Sequence, residues 1–523
     1  MKTRLLTAEA FARGAWLLAL AWLLTTGGPL GCSRDDAGGG TGGVPSGLGS
    51  GGQAPAGGQA AGGADAVGGS PSSGGQVAGI GGSLGGETST GGAGPVDLQG
   101  DACRFSVAHE LSSEITTVGI VTWSSDFPNP TSARLEFGPT GSLLDRIAPA
   151  QVPAPLSRTL LLGMKGEAAY SFRIVVESAA GSCKSPELDL TTGSVPDWVP
   201  SITKLGGDAS AAAGYIVTTP GLNLFGGRRD LPSAFIFDTD GDVVWWYPEI
   251  ITPICRATLS WDGQTMWVVY AYGASAFAMS MDGLTMQEHE LEGGVDHDLT
   301  PLPDGGIAAI ATGSGVDAIH SVVEFRPDGT VELIVEDLGT IMDAQHPNAL
   351  HYYPSDDSFT LSDLLGTAFV KFTHSGELVW KLDGEDPEDS SFELVGAEAW
   401  ETNHGHHLLP DRSFLFFNNV HDVGSQYTSS RVVLLELDEV NWTAEQTWQY
   451  VPDPPRQTDQ LGDVERLPNG NVLVTYSNTG LIEEVTPGGQ VVQAFDYFPA
   501  EDTYSGSFGY VSFRTSLYGP PPR

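Results

Sequence analysis

The 523-residue sequence predicts an all-β protein, and three observations lead there. From Cys103 onward, short runs of alternating apolar and polar residues are bounded by Gly, Pro, Asn and Asp. Between Cys103 and Thr192 no helical period of useful length interrupts them. From about residue 200 one unit recurs six times, and a repeat of that kind fixes the architecture before any single motif does.

The N-terminal part carries no core. Lys2, Arg4 and Arg13 precede an apolar run, Ala15 to Leu24, and the small residues Gly27, Gly28 and Gly31 lead to Cys32, the order of an export signal. The run is shorter than the roughly 20 apolar residues of a spanning helix. Leu30-Gly31-Cys32 resembles the end of a bacterial lipoprotein lipobox, with Pro29 departing from it, so residues 1–32 are expected to be a lipoprotein signal peptide and Cys32 its lipidation site. Residues 33–100 then form a Gly/Ser-rich linker: 25 of the 69 glycines fall between positions 38 and 94. Such a tract cannot bury a core and suits a spacer with a reach of about 5–6 Å × √n. Ser33 after the cysteine implies an outer-membrane destination, and the anchor is the expected contact with membrane.

Cys103 and Cys183 bracket about 80 residues of an exported chain and are expected to pair, a link worth roughly 4–5 kcal/mol by loop-closure entropy. Within residues 101–195, strands are expected at Ile115 to Trp123, Ala133 to Phe137, Ser157 to Leu162, Tyr170 to Glu177 and Glu187 to Thr191. Val121-Thr122-Trp123, Ala133 to Gly138 and Tyr170 to Ile174 resemble strands of fibronectin type III-like sandwiches. A spacer or accessory role is expected of this domain.

In the repeat, a strand enters a Pro-Asp-Gly-like turn, as at Trp261-Asp262-Gly263, Pro303-Asp304-Gly305, Pro410-Asp411-Arg412 and Pro468-Asn469-Gly470. A later Gly turn, as at Asp240-Gly241, Asp282-Gly283, Asp328-Gly329 and Gly488-Gly489, leads to the outer strand. The units run roughly 213 to 249, 254 to 291, 295 to 338, 346 to 382, 403 to 450 and 461 to 497. Four strands per unit predict a six-bladed β-propeller over residues 200–515, whose radial closure leaves only short edges.

Inner strands of all blades converge on one channel, so equal places in the repeat become neighbours in space. His297 lies seven residues before Asp304, and His404 seven before Asp411. Asn348 stands six before Pro354, the offset that separates His297 from Pro303, so His346 or Asn348 shares that mouth. Cys255 takes the same place in the second unit and Gly462-Asp463 flank it in the sixth. Three of eleven histidines at one inner-strand entrance can act as nucleophile, as acid or base, or as metal ligands. Each could also be a packing residue. In a regular strand His404 and His406 share a face and His407 takes the other.

Asp296-His297-Asp298-Leu299, His346-Pro347-Asn348-Ala349-Leu350, Asn403-His404-Gly405-His406, Ser430-Arg431-Val432-Val433 and Asp463 to Asn471 together resemble the bacterial arylsulfate sulfotransferases, periplasmic six-bladed propellers preceded by a small β domain. The resemblance covers roughly residues 200 to 500. It implies transfer of a sulfuryl group from an aryl sulfate to a phenol through a sulfohistidine, without a nucleotide donor, metal or other cofactor. By motif, His404 would be the nucleophile, with His297, His346 and Asn348 around the sulfuryl oxygens. Two departures stand out. Leu364 occupies the place of the family's arginine, and Asn403 that of a frequent glutamine. Arg256, Arg228 or Arg229 is expected to supply the missing cation.

Charge bounds the partners. The chain holds 24 Lys+Arg against 65 Asp+Glu, a net of −41. From residue 101 onward the balance is 20 against 59, a net of −39. This excludes sequence-independent nucleic-acid binding and docking on anionic lipid through a basic patch. Besides the transferase, two readings stay open: a non-catalytic, surface-displayed binding propeller, and a metal-dependent hydrolase or lyase. Asp383 to Asp389 is a solvated acidic loop or a Ca²⁺ loop.

Overall fold

A computed structural model describes residues 94–152, 156–220, 234–248, 254–270, 273–313, 319–400, 402–422, 428–497 and 508–522. The predicted signal peptide, Cys32 and most of the linker lie outside the described residues, as do Arg228 and Arg229. Among the described residues there is no α-helix, only two three-residue 3₁₀ turns at Leu338–Thr340 and Ser477–Thr479, and no helix long and apolar enough to cross a membrane.

Two sheets form the N-terminal sandwich. One orders Val96–Gln99, Arg104–Leu111, Gly119–Ser125 and Ser157–Leu161; the other orders Arg146–Ala150, Ser132–Pro139, Ala169–Ser178 and Gly181–Lys184, with Leu188–Thr191 also on Ala169–Ser178. Alternating burial along Arg104–Leu111 and Ser132–Pro139 sends Phe105, Val107, Leu135 and Phe137 inward, where they pack on Trp123, Phe172 and Ile174. Two expectations need correction. The linker does not extend to residue 100, because Val96–Gln99 pairs with Arg104–Leu111 in the register Val96↔Val107. Ile115 does not open a strand; it sits in a turn closed by Val118 N–H donating to Ile115 O at 2.8 Å. Cys103 and Cys183 are joined by a disulfide with Cα atoms 6.0 Å apart.

The propeller has six blades. Blade 2 runs outward from Ile254–Leu259 through Thr265–Tyr270 and Gly273–Ser280 into the long strand Met286–Pro301. That strand's second half is the inner strand of blade 3, which fuses the two blades into one seven-stranded sheet. Blade 4 starts at Pro347–Tyr353 and blade 5 at Asn403–Leu408. The unit from 213 to 249 supplies only three strands of blade 1; its inner strand is Ser512–Arg514, paired Tyr215↔Arg514. Thr203–Gly206 adds an outer strand to blade 6, paired with Val491–Asp496. Segments from both sides of the repeat therefore latch the ring. In blade 5, where the repeat lacks its Gly turn, Asp438 Oδ1 accepts from Val440 N–H at 2.8 Å and Asn441 N–H at 3.0 Å, which turns the chain without glycine.

The sandwich is bolted to blades 1 and 2. Ile115, Val118, Leu160 and Leu162 share one apolar cluster with Phe235, Phe237 and Trp245. Thr117 Oγ1 donates to Val244 O at 2.7 Å, and Tyr518 OH bridges Leu162 N (2.7 Å) and Leu160 O (3.0 Å). Lys165 Nζ lies 3.2, 2.7 and 2.6 Å from Asp238, Asp240 and Asp242. These carboxylates are a described three-donor grouping tight enough for a metal ion, yet an ammonium already occupies it.

Candidate active site

The predicted site residues sit on irregularities that recur at the head of the inner strands. Pairing with the second strand shifts between Ile254 and Arg256, between Asp296 and Leu299, between Pro347 and Ala349, and between Asn403 and His406. The residues expelled from register are Cys255, His297 with Asp298, Asn348, and His404 with Gly405. A bulge leaves an extra residue unpaired and re-aims its side chain. His297 takes a left-handed backbone, φ 50°, which few non-glycine residues adopt.

These bulges bring three imidazoles together. The His297 and His346 rings are 4.6 Å apart edge to face, and His404 is close enough for its charge, with those of His297 and His320, to oppose protonation of His346. Burial is the larger cause, and together they push His346 down to about 2. Burial likewise holds His404 at about 4, against the raising effect of Asn419. Both rings are thus neutral near pH 7, and Nε2 of each is buried without a hydrogen-bond partner among the described residues.

The tautomer of His404 follows from its neighbour. Asn419 Nδ2 donates to Thr458 O at 2.9 Å and Leu461 O at 2.8 Å. Both amide protons are spoken for, so Oδ1 must face His404 Nδ1 at 2.6 Å and accept its proton. The bare lone pair is then on Nε2. His297 Nδ1 lies 2.7 Å from the Asp296 carboxylate.

Several expectations change on contact with the geometry. Asn348 does not offer its amide to the mouth: Nδ2 donates to Asn403 O at 2.8 Å and Oδ1 accepts from Ser362 Oγ. It braces the strand that carries the nucleophile candidate. Arg256 is not an uncommitted cation, since its Nε lies 3.1 Å from Asp298 and its Nη1 3.1 Å from Asp463. Burial works against the guanidinium charge, but these two carboxylates more than offset it. Arg256 stacks on Tyr510 at 5.3 Å, and Tyr510 stands 6.5 Å from His404. Leu364 is buried and its N–H donates to His346 O at 3.0 Å, so this place brings no charge to the site. His404 and His406 do not share surroundings, because the bulge breaks the alternation. The His406 ring turns between blades, 2.7 Å from Thr360 Oγ1 and against Phe369, while His407 faces a cavity further along the channel.

Asn419, Asp298, Asp463, Tyr510 and His320 were not picked out as site residues. Asp298 and Asp463 each stand five residues before the turn proline, a coincidence visible in the repeat. Asn418-Asn419 interrupts the apolar run Phe414 to Phe417, which is a signal for Asn419. Nothing in the pattern marks Tyr510. Gly405 is fixed by Asp463: a Cβ there would overlap its carboxylate and approach its Cα to 2.7 Å.

The family model described as Arylsulfotransferase (ASST) matches residues 217–503, more than half of the chain. The chain is a member of the arylsulfotransferase family. Membership brings aryl sulfotransferase activity in general and small-molecule aryl substrates. No curated protein sequence matches this arylsulfotransferase. Among solved structures it is similar to a periplasmic gluconolactonase of Pseudomonas aeruginosa, at 16% identity over 65% of this chain and 94% of that one, with a TM-score of 0.37. A streptogramin B lyase matches at 14% identity over 61% and 96%, TM-score 0.38. Virginiamycin B lyase from Staphylococcus aureus matches at 13% over 48% and 71%, TM-score 0.33.

Proposed function

We propose that this arylsulfotransferase moves a sulfuryl group from an aryl sulfate ester to a phenolic acceptor through N-sulfonated His404. The observation that carries the reading is the Asn419–His404 pair, which keeps the proton on Nδ1 and leaves a neutral, buried, unpartnered Nε2. In the first half-reaction the Nε2 lone pair attacks sulfur and the S–O(aryl) bond breaks, its electrons leaving on the phenolate, which takes a proton from solvent. The ring becomes cationic, and Nδ1–H points at the Asn419 oxygen that stabilises it. In the second half the acceptor oxygen attacks sulfur, the N–S bond returns its electrons to Nε2, and the acceptor proton passes to His297, whose Nδ1 faces the Asp296 carboxylate. That proton is released to solvent.

His346, with Nε2 buried and unpartnered beside His297, is the group placed to meet a sulfuryl oxygen. A loose transition state of this kind depends on positioned donors and an in-line nucleophile more than on strong acids. Incubation with 4-nitrophenyl sulfate should leave one sulfuryl group on His404, seen by intact mass and peptide mapping; an unlabelled His404 with turnover intact overturns the reading. Leu364 in the arginine's place favours a second reading, ligand binding without transfer, for which the same experiment gives neither label nor nitrophenol. We further propose export and a lipid anchor through Cys32 in the outer membrane. The Cys103–Cys183 disulfide supports an oxidising compartment.

A further inference from the structure

The channel has a second chamber. Two residues further along the inner strands from Arg256, Asp298, Ala349, Gly405 and Asp463, the side chains of Thr258, Thr300, His351, His407 and Glu465 line a cavity of about 630 Å³. That volume is in the range of small-molecule sites. Arg256 forms part of its wall and stacks on Tyr510, whose ring stands 6.5 Å from that of His404.

The lining reverses the charge of the chain. Arg256, Lys371, Arg412, Arg466 and Arg514 face it against Asp356, Glu439 and Glu465, whereas the whole chain has 24 cations to 65 acids. Asp298 and Asp463 offset Arg256, and Asp356 lies 2.6 Å from Lys371. Arg412, Arg466 and Arg514 have no salt-bridge partner among the described residues. On two of the lining side chains, 8% and 2% exposed, a buried polar atom, His351 Nε2 and Arg514 Nε, has no hydrogen-bond partner among the described residues. Buried polar groups are almost always satisfied, so such a pair marks a wall short of polar partners. Flat, largely apolar surface is supplied by Trp261, Tyr352 and Phe513, with Pro301, Pro410 and Pro521.

We propose that this chamber is a second ligand site, separate from the histidine mouth, for small aromatic oxyanions: a flat ring against Trp261, Tyr352 and the prolines, and a carboxylate or sulfonate head on Arg412, Arg466 and Arg514. Such ligands carry no transferable sulfuryl group, and the site does not depend on sulfotransfer at His404.

The test is equilibrium binding of benzoate and benzenesulfonate to the whole protein, by calorimetry and by quenching of tryptophan fluorescence. Expected is saturable binding of either anion, at least tenfold tighter than benzyl alcohol. It should be unchanged in His404→Ala and weakened tenfold or more in the Arg412→Gln/Arg466→Gln double variant. Both arginines are at least partly exposed, so the fold should tolerate that change. Loss of the quenching signal in Trp261→Phe locates the ligand independently of the arginines. Absent binding, equal affinity for benzyl alcohol, or binding abolished by His404→Ala but kept in the arginine variant overturns the proposal.

Discussion

Asn419→Ala is the sharpest test of how the site is built. The substitution takes away the acceptor 2.6 Å from His404 Nδ1 and the donors to Thr458 O and Leu461 O. Each buried polar group so stranded costs about 1–3 kcal/mol; Thr458 O keeps a contact from Ser430 Oγ at 3.5 Å, so the two groups left bare put the loss to the fold at roughly 2–6 kcal/mol. The rate should fall for a different reason. Without Oδ1 the imidazole proton is no longer directed to Nδ1, and the ring loses its orientation, together about 2–3 kcal/mol of transition-state stabilisation, or about 30- to 160-fold in the sulfonation rate. Asn419 is a positioning residue behind the imidazole, so KM for the donor should stay near the parent value while kcat falls. The assay is single-turnover release of 4-nitrophenol, run well below the variant's Tm, with intact mass following the protein. A folded variant that sulfonates His404 within threefold of the parent rate would refute the tautomer argument.

Five further outcomes are expected. Because burial holds His404 at about 4, the single-turnover rate should be flat through pH 6.5, and an inflection there counts against the assignment. A lowered folded pKa means the unfolded state binds the proton first, so this stability is complete above about pH 6.5 and is lost as pH falls towards 4. Relative to His404→Gln the parent should lose up to about 3 kcal/mol over that window, read from urea midpoints; a gain would contradict the burial. With neutral imidazoles as donors, phenyl sulfate should react more than tenfold slower than 4-nitrophenyl sulfate in single turnover, and equal rates would reveal a strong acid. Gly405→Ala, which forces a Cβ against Asp463, should cost about 1–3 kcal/mol as a lowered Tm, and an unchanged Tm refutes the clash. Reduction of Cys103–Cys183 should cost roughly 4–5 kcal/mol in urea midpoint terms for a bridge across 80 residues; no shift would mean the unfolded chain is already constrained.

The propeller was legible because its turns repeat, and turn chemistry is local. The same register located His297 and His404 at one mouth, as equal places in a ring must be. What the repeat could not convey was the bulge. His404 and His406 look like one face of a strand, and only the pairing shift between Asn403 and His406 separates them. Commitments were equally hidden. Asn348 and Arg256 carry the right chemistry for an anion, but their atoms are used by Asn403, Ser362, Asp298 and Asp463, of which all but Ser362 come from other blades. The inner strand of blade 1 was invisible because Ser512–Arg514 is separated from its partner by about 300 residues and carries no turn mark.

That distant strand ties the closing of the ring to the building of its mouth. Tyr510 braces Asn348 through its hydroxyl, 2.7 Å from the backbone oxygen, and Val511 N–H caps Asp463 at 3.0 Å. Both belong to the segment that supplies the inner strand of blade 1. Until that stretch threads along blade 1, five inner strands surround a gap, and the channel has neither its wall nor its spacing. A ring without that strand therefore lacks a finished mouth, and its insertion at once closes the barrel-like ring and completes the site.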